Sequence, residues 1–327
     1  MNFFKNKSVL VTGGTGTFGK AFVSDLLKNH DPRKVIVFSR DELKQFEMKN
    51  YFKEDSRLRF FIGDVRDKDR LMRAFANVDY IIHAAALKQV DTGEYNPREF
   101  ILTNIIGSQN VVDAAIDSGV SKVIALSTDK ASSPINLYGA TKLTADKLFT
   151  SANVYSTNSS TSFSVVRYGN VMGSRGSIIP MFKELAAKGE KIPITDKRMT
   201  RFWITLEQAV KFVQDAFSEM NGGELFVPRI PSMKITDLVA AVAPGSETIE
   251  IGIRPGEKLH EEMISPDDSR RTVKQKDKYI ISPVYPDWAF TLPNGEALAE
   301  GFSYRSDTND LWLSIDDLKK FIDTKQP

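Results

Sequence analysis

Two short stretches carry side chains able to move protons. Ser127-Thr128-Asp129-Lys130 follows an apolar run, and Tyr138 and Lys142 stand four positions apart shortly after it. Residues at that spacing share one face of a helix. A phenol beside an ammonium has its pKa lowered. Such a tyrosine can take a proton from an alcohol while hydride leaves the same carbon. Asp129 adds an acid, if it is held protonated. Lys130 adds a base, if burial or the neighbouring Lys142 lowers its pKa. Thr128, directly before them, is grouped with the catalytic and substrate-contacting residues.

These residues need a rigid support and an electron acceptor. Val9-Leu10-Val11-Thr12 runs into Gly13-Gly14-Thr15-Gly16-Thr17-Phe18-Gly19, a strand, a glycine turn and the start of a helix. Gly13, Gly16 and Gly19, with Thr15, Thr17 and Phe18 between them, suit a pyrophosphate at a helix N-terminus. The second apolar run ends in Ser39-Arg40-Asp41, where a dinucleotide's adenosine ribose would lie. Asp41 there favours NAD, whereas Ser39 and Arg40 favour the 2′-phosphate of NADP; the arginine decides for NADP. Lys44 is grouped with them. Asp64 and Val65 face the adenine, and Ala84 and Ala86 leave room for a cofactor ring beside Ser127.

Strand-like runs recur at Val9–Val11, Lys34–Phe38, Leu58–Ile62, Tyr80–His83, Lys122–Leu126 and Phe163–Arg167, with helical stretches between. This alternation predicts an α/β fold, a Rossmann-type doubly wound parallel sheet with a smaller C-terminal substrate lobe. The expected division is 1–170 for cofactor and catalysis, 171–282 mainly for substrate with crossings back to the sheet, and 283–327 as an extension. Helices are expected at Thr205–Met220, opened by Thr205 and Glu207, at Lys234–Val242 and at Ser314–Thr324, and a strand at Glu224–Val227. Arg201, and Arg254 with Glu257, offer cations for a diphosphate and a carboxylate for ribose, without metal. The loop Gly173–Ser177 could hug a nucleotide. His83 reads as a core residue, and His30 and His260 complete no metal pattern with it.

The 327 residues carry a net charge of +2 and no cysteine. This argues against a nucleic-acid binder, and excludes disulfides and thiolate metal sites. No span or targeting stretch is evident, so a cytoplasmic enzyme away from the membrane is expected.

The glycine loop, Ala84-Ala85-Ala86, Ser127-Thr128 and Tyr138-x-x-x-Lys142 together resemble the extended short-chain dehydrogenases/reductases. Thr128-Asp129-Lys130 and Ala86-Leu87-Lys88-Gln89-Val90 resemble, within them, the inverting UDP-N-acetylglucosamine 4,6-dehydratases (5-epimerising) of the pseudaminic-acid pathway type. Ordinary sugar-nucleotide 4,6-dehydratases carry Asp-Glu where this chain has Asp129-Lys130. The resemblance covers about residues 5–282 and continues through Gly301-Phe302-Ser303-Tyr304 and Asp310-Leu311-Trp312-Leu313. It implies a lyase of polysaccharide biosynthesis acting on UDP-N-acetylglucosamine, with tightly bound NADP recycled in each turnover, and a homo-oligomer, dimer or hexamer. Tyr138 would serve C4 oxidation, Lys130 would take the C5 proton and Asp129 would protonate the departing C6 hydroxyl. Lys88 would touch cofactor and substrate, and Asn170 the sugar diphosphate. Two alternatives stay open: an NADP-dependent UDP-sugar 4-epimerase or reductase, needing neither Asp129 nor Lys130, and a non-catalytic NADP-binding regulatory protein.

Overall fold

The structure, a computed structural model, describes residues 3–156, 161–173, 178–284 and 293–323. Ser174–Ser177 of the expected nucleotide loop, residues 285–292 of the C-terminal extension and Thr324 lie outside them. Six strands form the expected core: β1 (Ser8–Thr12), β2 (Lys34–Ser39), β3 (Leu58–Ile62), β4 (Tyr80–His83), β5 (Lys122–Thr128) and β6 (Ser162–Tyr168). They pair in parallel in the order β3-β2-β1-β4-β5-β6. β1 is buried along its whole length and β6 over nearly all of it, as strands covered on both faces must be. The order reverses between β1 and β4, and ligands of such sheets bind beyond the strand ends at that point.

Beyond β6 the chain leaves and re-enters this sheet. Leu225–Pro228 adds in parallel to β6, followed by antiparallel Lys278–Ile281, Thr272–Lys274 and Glu296–Ala297, making ten strands. Between these returns the chain builds a second body. It has a three-stranded sheet of Asn170–Val171, Thr200–Ile204 and Ser232–Lys234, and its own core around Phe182, Trp203, Leu238 and Leu318. The extension is woven into both parts. Tyr304–Arg305 pairs with Glu262–Ile264, Ser232 bridges to Trp312, and the helix Ile315–Asp323 packs on Ile235–Val242.

Local chemistry sets the element ends. Asp41, Asp67 and Asn136 cap their helices by accepting from Lys44, Arg70 and Gly139 amides. Thr205 opens Leu206–Glu219, but its reciprocal partner is Gln208 rather than Glu207, because only the third helical position reaches back to the cap. The strand read as Glu224–Val227 is shifted by one, since Glu224 turns its carboxylate to the Asn221 and Gly222 amides. One feature has no sequence signature. Pro97–Asp117 is a run of helix interrupted by a π-helical stretch, Ile101–Ile106. Within that stretch Asn104 accepts from Leu87 N (2.8 Å) and donates to Leu87 O (2.9 Å) and Thr141 Oγ1 (3.0 Å). It thereby ties the loop bearing Lys88 to the helix bearing Tyr138.

Behind β5 lies a buried chain of partners. Ser127 Oγ donates to Asp146 Oδ2 (2.8 Å), which also accepts from Arg167 Nη2 (3.0 Å). Arg167 in turn donates to Met263 O, joining β6 to the strand Glu262–Ile264. Removing one member of a buried pair leaves the other charge uncompensated. Asp146→Ala is therefore expected to lower stability by about 3–5 kcal/mol, read by denaturant unfolding. Asp146→Asn, which can still accept from both partners, should cost less; equal and negligible losses in both variants would refute this account.

Candidate active site

Apart from the Gly173–Ser177 loop, of which Ser174–Ser177 lie outside the described residues, the site residues expected from the sequence line a single cleft of about 730 Å³ at the carboxyl ends of the strands. The β1 turn contributes Gly13, Thr15, Gly16, Thr17, Phe18 and Gly19; the ends of β2 and β3 contribute Ser39, Arg40, Asp41, Lys44, Asp64 and Val65. Ala84, Ala86 and Lys88 follow β4, and Ser127, Thr128, Asp129 and Lys130 follow β5. Tyr138 and Lys142 come from the helix Leu137–Tyr155, and Asn170, Arg201, Arg254 and Glu257 from the opposite wall.

The glycine turn works by close approach. A Cβ on Gly19 would lie 2.5 Å from Gly14 Cα, so only glycine lets the helix start against the turn. That helix, Thr17–Asn29, carries no side-chain cap and no acid in its first turn. Its amide end therefore suits an anionic ligand. Asp41 is already engaged: its carboxylate accepts from Lys44 N and pairs with Lys44 Nζ at 2.5 Å. Arg40 is half exposed and only loosely paired, 3.7 Å from Asp64, which Arg66 holds more tightly at 2.7 Å.

Around β5 the groups converge. Gly139 brings the Tyr138 helix against the Asp129–Lys130 turn, where any Cβ would lie 2.2 Å from Lys130 O. Asn136 caps that helix and donates to Gly256 O (2.7 Å), fixing the far wall to it. Lys130 Nζ donates to Asp129 Oδ1 and to Glu261 Oε1, each at 3.1 Å. Thr128 Oγ1 donates to the same Asp129 oxygen at 2.9 Å.

Two electrostatic expectations need correction. Lys130 is not a lowered-pKa amine: burial would lower it, but Asp129 and Glu261 outweigh that and raise it above the ordinary lysine range. Tyr138 is not lowered by Lys142 either. Burial pushes its phenol up to about 12, and the cation that opposes this is Lys130. Lys142 instead donates to Leu126 O (2.8 Å) and is itself lowered by burial. The Asp129 carboxyl is raised by burial, against the Lys130 cation beside it. Lys88 is lowered by desolvation.

Arg201 also differs from the expected open cation. Its guanidinium donates to the carbonyls of Thr200, Leu259 and Lys258 and stands 3.7 Å from Glu261, so it braces the wall. Arg254 remains on the cleft, paired with Glu257 at 3.2 Å. His83 is a core residue as read, between Thr12 (2.9 Å) and Ser108 (3.3 Å), its pKa brought to about 3 by burial and then by Lys142. Among the described residues no acidic and histidine cluster suits a metal. Sequence reasoning missed Glu261, Asp146 and Asn104. None lies in a recognisable motif, and each acts through contacts distant in sequence.

A family model described as polysaccharide biosynthesis protein matches residues 9–283. A Campylobacter jejuni protein named UDP-N-acetylglucosamine 4,6-dehydratase (inverting) is 56% identical, over 98% of each chain. The X-ray structure of Pen from Bacillus thuringiensis superposes with a TM-score of 0.89 and 41% identity, covering 99% of this chain and all of that one. The dTDP-glucose 4,6-dehydratase DesIV from Streptomyces venezuelae, solved with NAD and TYD bound, gives a TM-score of 0.68 at 25% identity, over 77% of this chain and 86% of that one. With glycine turn, Tyr138-x-x-x-Lys142 and Thr128-Asp129-Lys130 gathered in one cleft, the chain belongs to the polysaccharide biosynthesis family of extended short-chain dehydrogenases/reductases, in the branch of the inverting UDP-N-acetylglucosamine 4,6-dehydratases.

Proposed function

We propose that the chain dehydrates UDP-N-acetylglucosamine with inversion, giving UDP-2-acetamido-2,6-dideoxy-β-L-arabino-hex-4-ulose, and that it holds NADP throughout. The observation that carries this reading is the convergence of Tyr138, Asp129 and Lys130 beside the glycine turn, in a chain 56% identical to a protein of that name. An epimerase or reductase would need Tyr138 alone, and a binding-only regulator would need none of the three.

The cleft fits the cofactor. The uncapped helix start faces the diphosphate position, the Gly13–Gly19 turn allows close approach, and Arg40 is left for a 2′-phosphate while Asp41 is occupied by Lys44. When bound, a nicotinamide ring supplies reversible two-electron chemistry to the sugar. The chain supplies the proton chemistry. Tyr138, once it has given up its own phenolic proton, takes the C4 hydroxyl proton, and the resulting ketone acidifies C5. Asp129 accepts at Oδ1 from Thr128 and Lys130, which leaves Oδ2, buried and without a partner, to carry the proton given to the C6 oxygen. Lys130 takes the C5 proton, and must first lose one of its own. Lys88 meets both cofactor and substrate, Asn170 the sugar diphosphate, and Arg254 with Glu257 the nucleotide.

A homo-oligomer is part of the reading, supported by the exposed Tyr95, Ile101 and Ile106 along one helical region. No helix among the described residues is long and apolar enough to cross a membrane. A cytoplasmic location is part of the reading, from a sequence with no evident span or targeting stretch, and a place in pseudaminic-acid synthesis is what the resemblance implies.

Purified protein given UDP-N-acetylglucosamine and no reductant is expected to form a product lighter by one water, with deuterium at C5 when run in deuterated water. A mass-neutral product would favour the epimerase. Lys130→Ala should retain cofactor but slow dehydration by about a hundredfold or more, measured by mass spectrometry of single turnovers. Arg40→Ala should weaken NADP binding about ten- to hundredfold, the worth of one or two charge-assisted bonds, with NAD binding little changed. Calorimetry separates these, and equal losses for both cofactors would remove Arg40 from 2′-phosphate recognition.

A further inference from the structure

The short connection from Lys130 to the tyrosine-bearing helix is strained. Ser133 has a φ of +42°, in the left-handed region, and stands directly before Pro134. Serine is disfavoured in that region, and a residue before proline is pushed toward extended backbone. Such a conformation persists only where surrounding groups hold it. Here one carboxylate oxygen is the main holder. Glu262 Oε1 accepts from Ser133 Oγ at 2.6 Å and from Ser132 Oγ at 2.9 Å. Lys258 Nζ adds a bond to Ser132 O at 2.6 Å. Glu262 does not line the cleft; it belongs to the strand Glu262–Ile264, opposite Arg305.

The strain has a geometric use. A Cβ on residue 139 would lie 2.2 Å from Lys130 O and 3.0 Å from Pro134 Cβ, so the connection folds back tightly on the start of the helix. We propose that Glu262 is a positioning residue for water elimination: it holds Ser132 and Ser133 so that Asp129 and Lys130 stand over the same sugar as Tyr138. The proposal rests on the dehydratase reading above. An extended residue at 133 would lengthen the connection and lift Asp129 and Lys130 away from the Tyr138 helix. Tyr138 has supports of its own. Its helix is tied to the far wall by Asn136, which donates to Gly256 O, and to the Lys88 loop by Asn104, which donates to Thr141 Oγ1. Loss of the Glu262 hold therefore separates the two halves of the reaction. C4 oxidation, served by Tyr138, continues, while water elimination, served by Asp129 and Lys130, slows. Glu262 touches neither sugar nor cofactor and acts through the connection alone.

The test uses the full chain with NADP and UDP-N-acetylglucosamine. Wild-type dehydration is measured first, and its absence would sink the dehydratase reading rather than this one. Glu262→Ala is expected to keep KM within about threefold of wild type. Its kcat for dehydration should fall about ten- to a hundredfold, as when catalytic groups are misplaced by an ångström. The near-ultraviolet band of reduced nicotinamide should then accumulate on adding substrate. Glu262→Gln, whose amide oxygen can still accept from both hydroxyls, should recover most of the loss. Adding Ser133→Gly to Glu262→Ala should recover part of it, because glycine takes a positive φ without strain; a contact that merely stabilised the fold would not be replaced by a more flexible residue. Four results would overturn the proposal: dehydration by the alanine variant within about threefold of wild type, loss of C4 oxidation and dehydration together in a variant that still binds cofactor, a glutamine variant as slow as the alanine one, or no gain from the glycine. Should the alanine variant not fold, Ser132→Ala combined with Ser133→Ala decides, since it removes both donors and leaves Glu262 in place. Slowed dehydration with accumulated reduced cofactor supports the hold, and wild-type rates without accumulation refute it.

Discussion

An ammonium clamped between two buried carboxylates is the constraint from which the rest of this molecule follows. Lys130, Asp129 and Glu261, with Arg201 behind, place four ionisable groups where little water reaches them. Charges taken out of water are costly unless geometry and hydrogen bonding are very good. The fold meets that demand by drawing the members from separate elements. Asp129 and Lys130 stand on a tight turn at the end of a fully paired strand, Arg201 on a strand of the second body, and Glu261 on a stretch held from the chain's last segment. No single local unit assembles the cluster, so its geometry reports the docking of the whole chain.

The positioning devices share a logic of contact without slack. Gly139 admits the tyrosine-bearing helix to within van der Waals distance of the Lys130 carbonyl, and Asn136 binds that helix to the far wall. Asn104, at the π-helical irregularity, uses its amide to grip both backbone groups of Leu87 and so steadies the loop of Lys88. π-helical turns are rare and concentrate at functional sites. Here the extra residue turns Asn104 inward, where it is 1% exposed.

What was legible in the sequence was whatever repeats or lies close along the chain. The six parallel strands show as apolar runs, and Ser314 shows as the cap of the last helix, where its hydroxyl accepts from Asp317 N. The cleft's cofactor and acid–base candidates were legible for the same reason, since most follow a strand or belong to a helix start, whereas Arg254 and Glu257 lie in an irregular loop. Charge state was not. Whether Lys130 is an amine or an ammonium depends on Glu261, far away in sequence, and no spacing rule connects them. Arg201 looks like a free cation in sequence, but the carbonyls that occupy it come from Leu259 and Lys258. The Rossmann part is written in local periodicity, while the acid–base balance is written in long-range contacts.

Ser306 gives the extension a wider meaning. Its hydroxyl accepts from Glu261 N at 2.9 Å, and its own amide donates to Glu261 O at 2.9 Å, while its side chain also meets Thr200. A ribosome that has released only the dinucleotide half has made a body with a sheet and a glycine turn but no third member of the ionic cluster. Synthesis must pass Ser306 before the centre can be complete. A polypeptide that stops short of Ser306 thus lacks the clasp on Glu261, a residue that the ionic cluster borrows from 45 positions earlier in the chain.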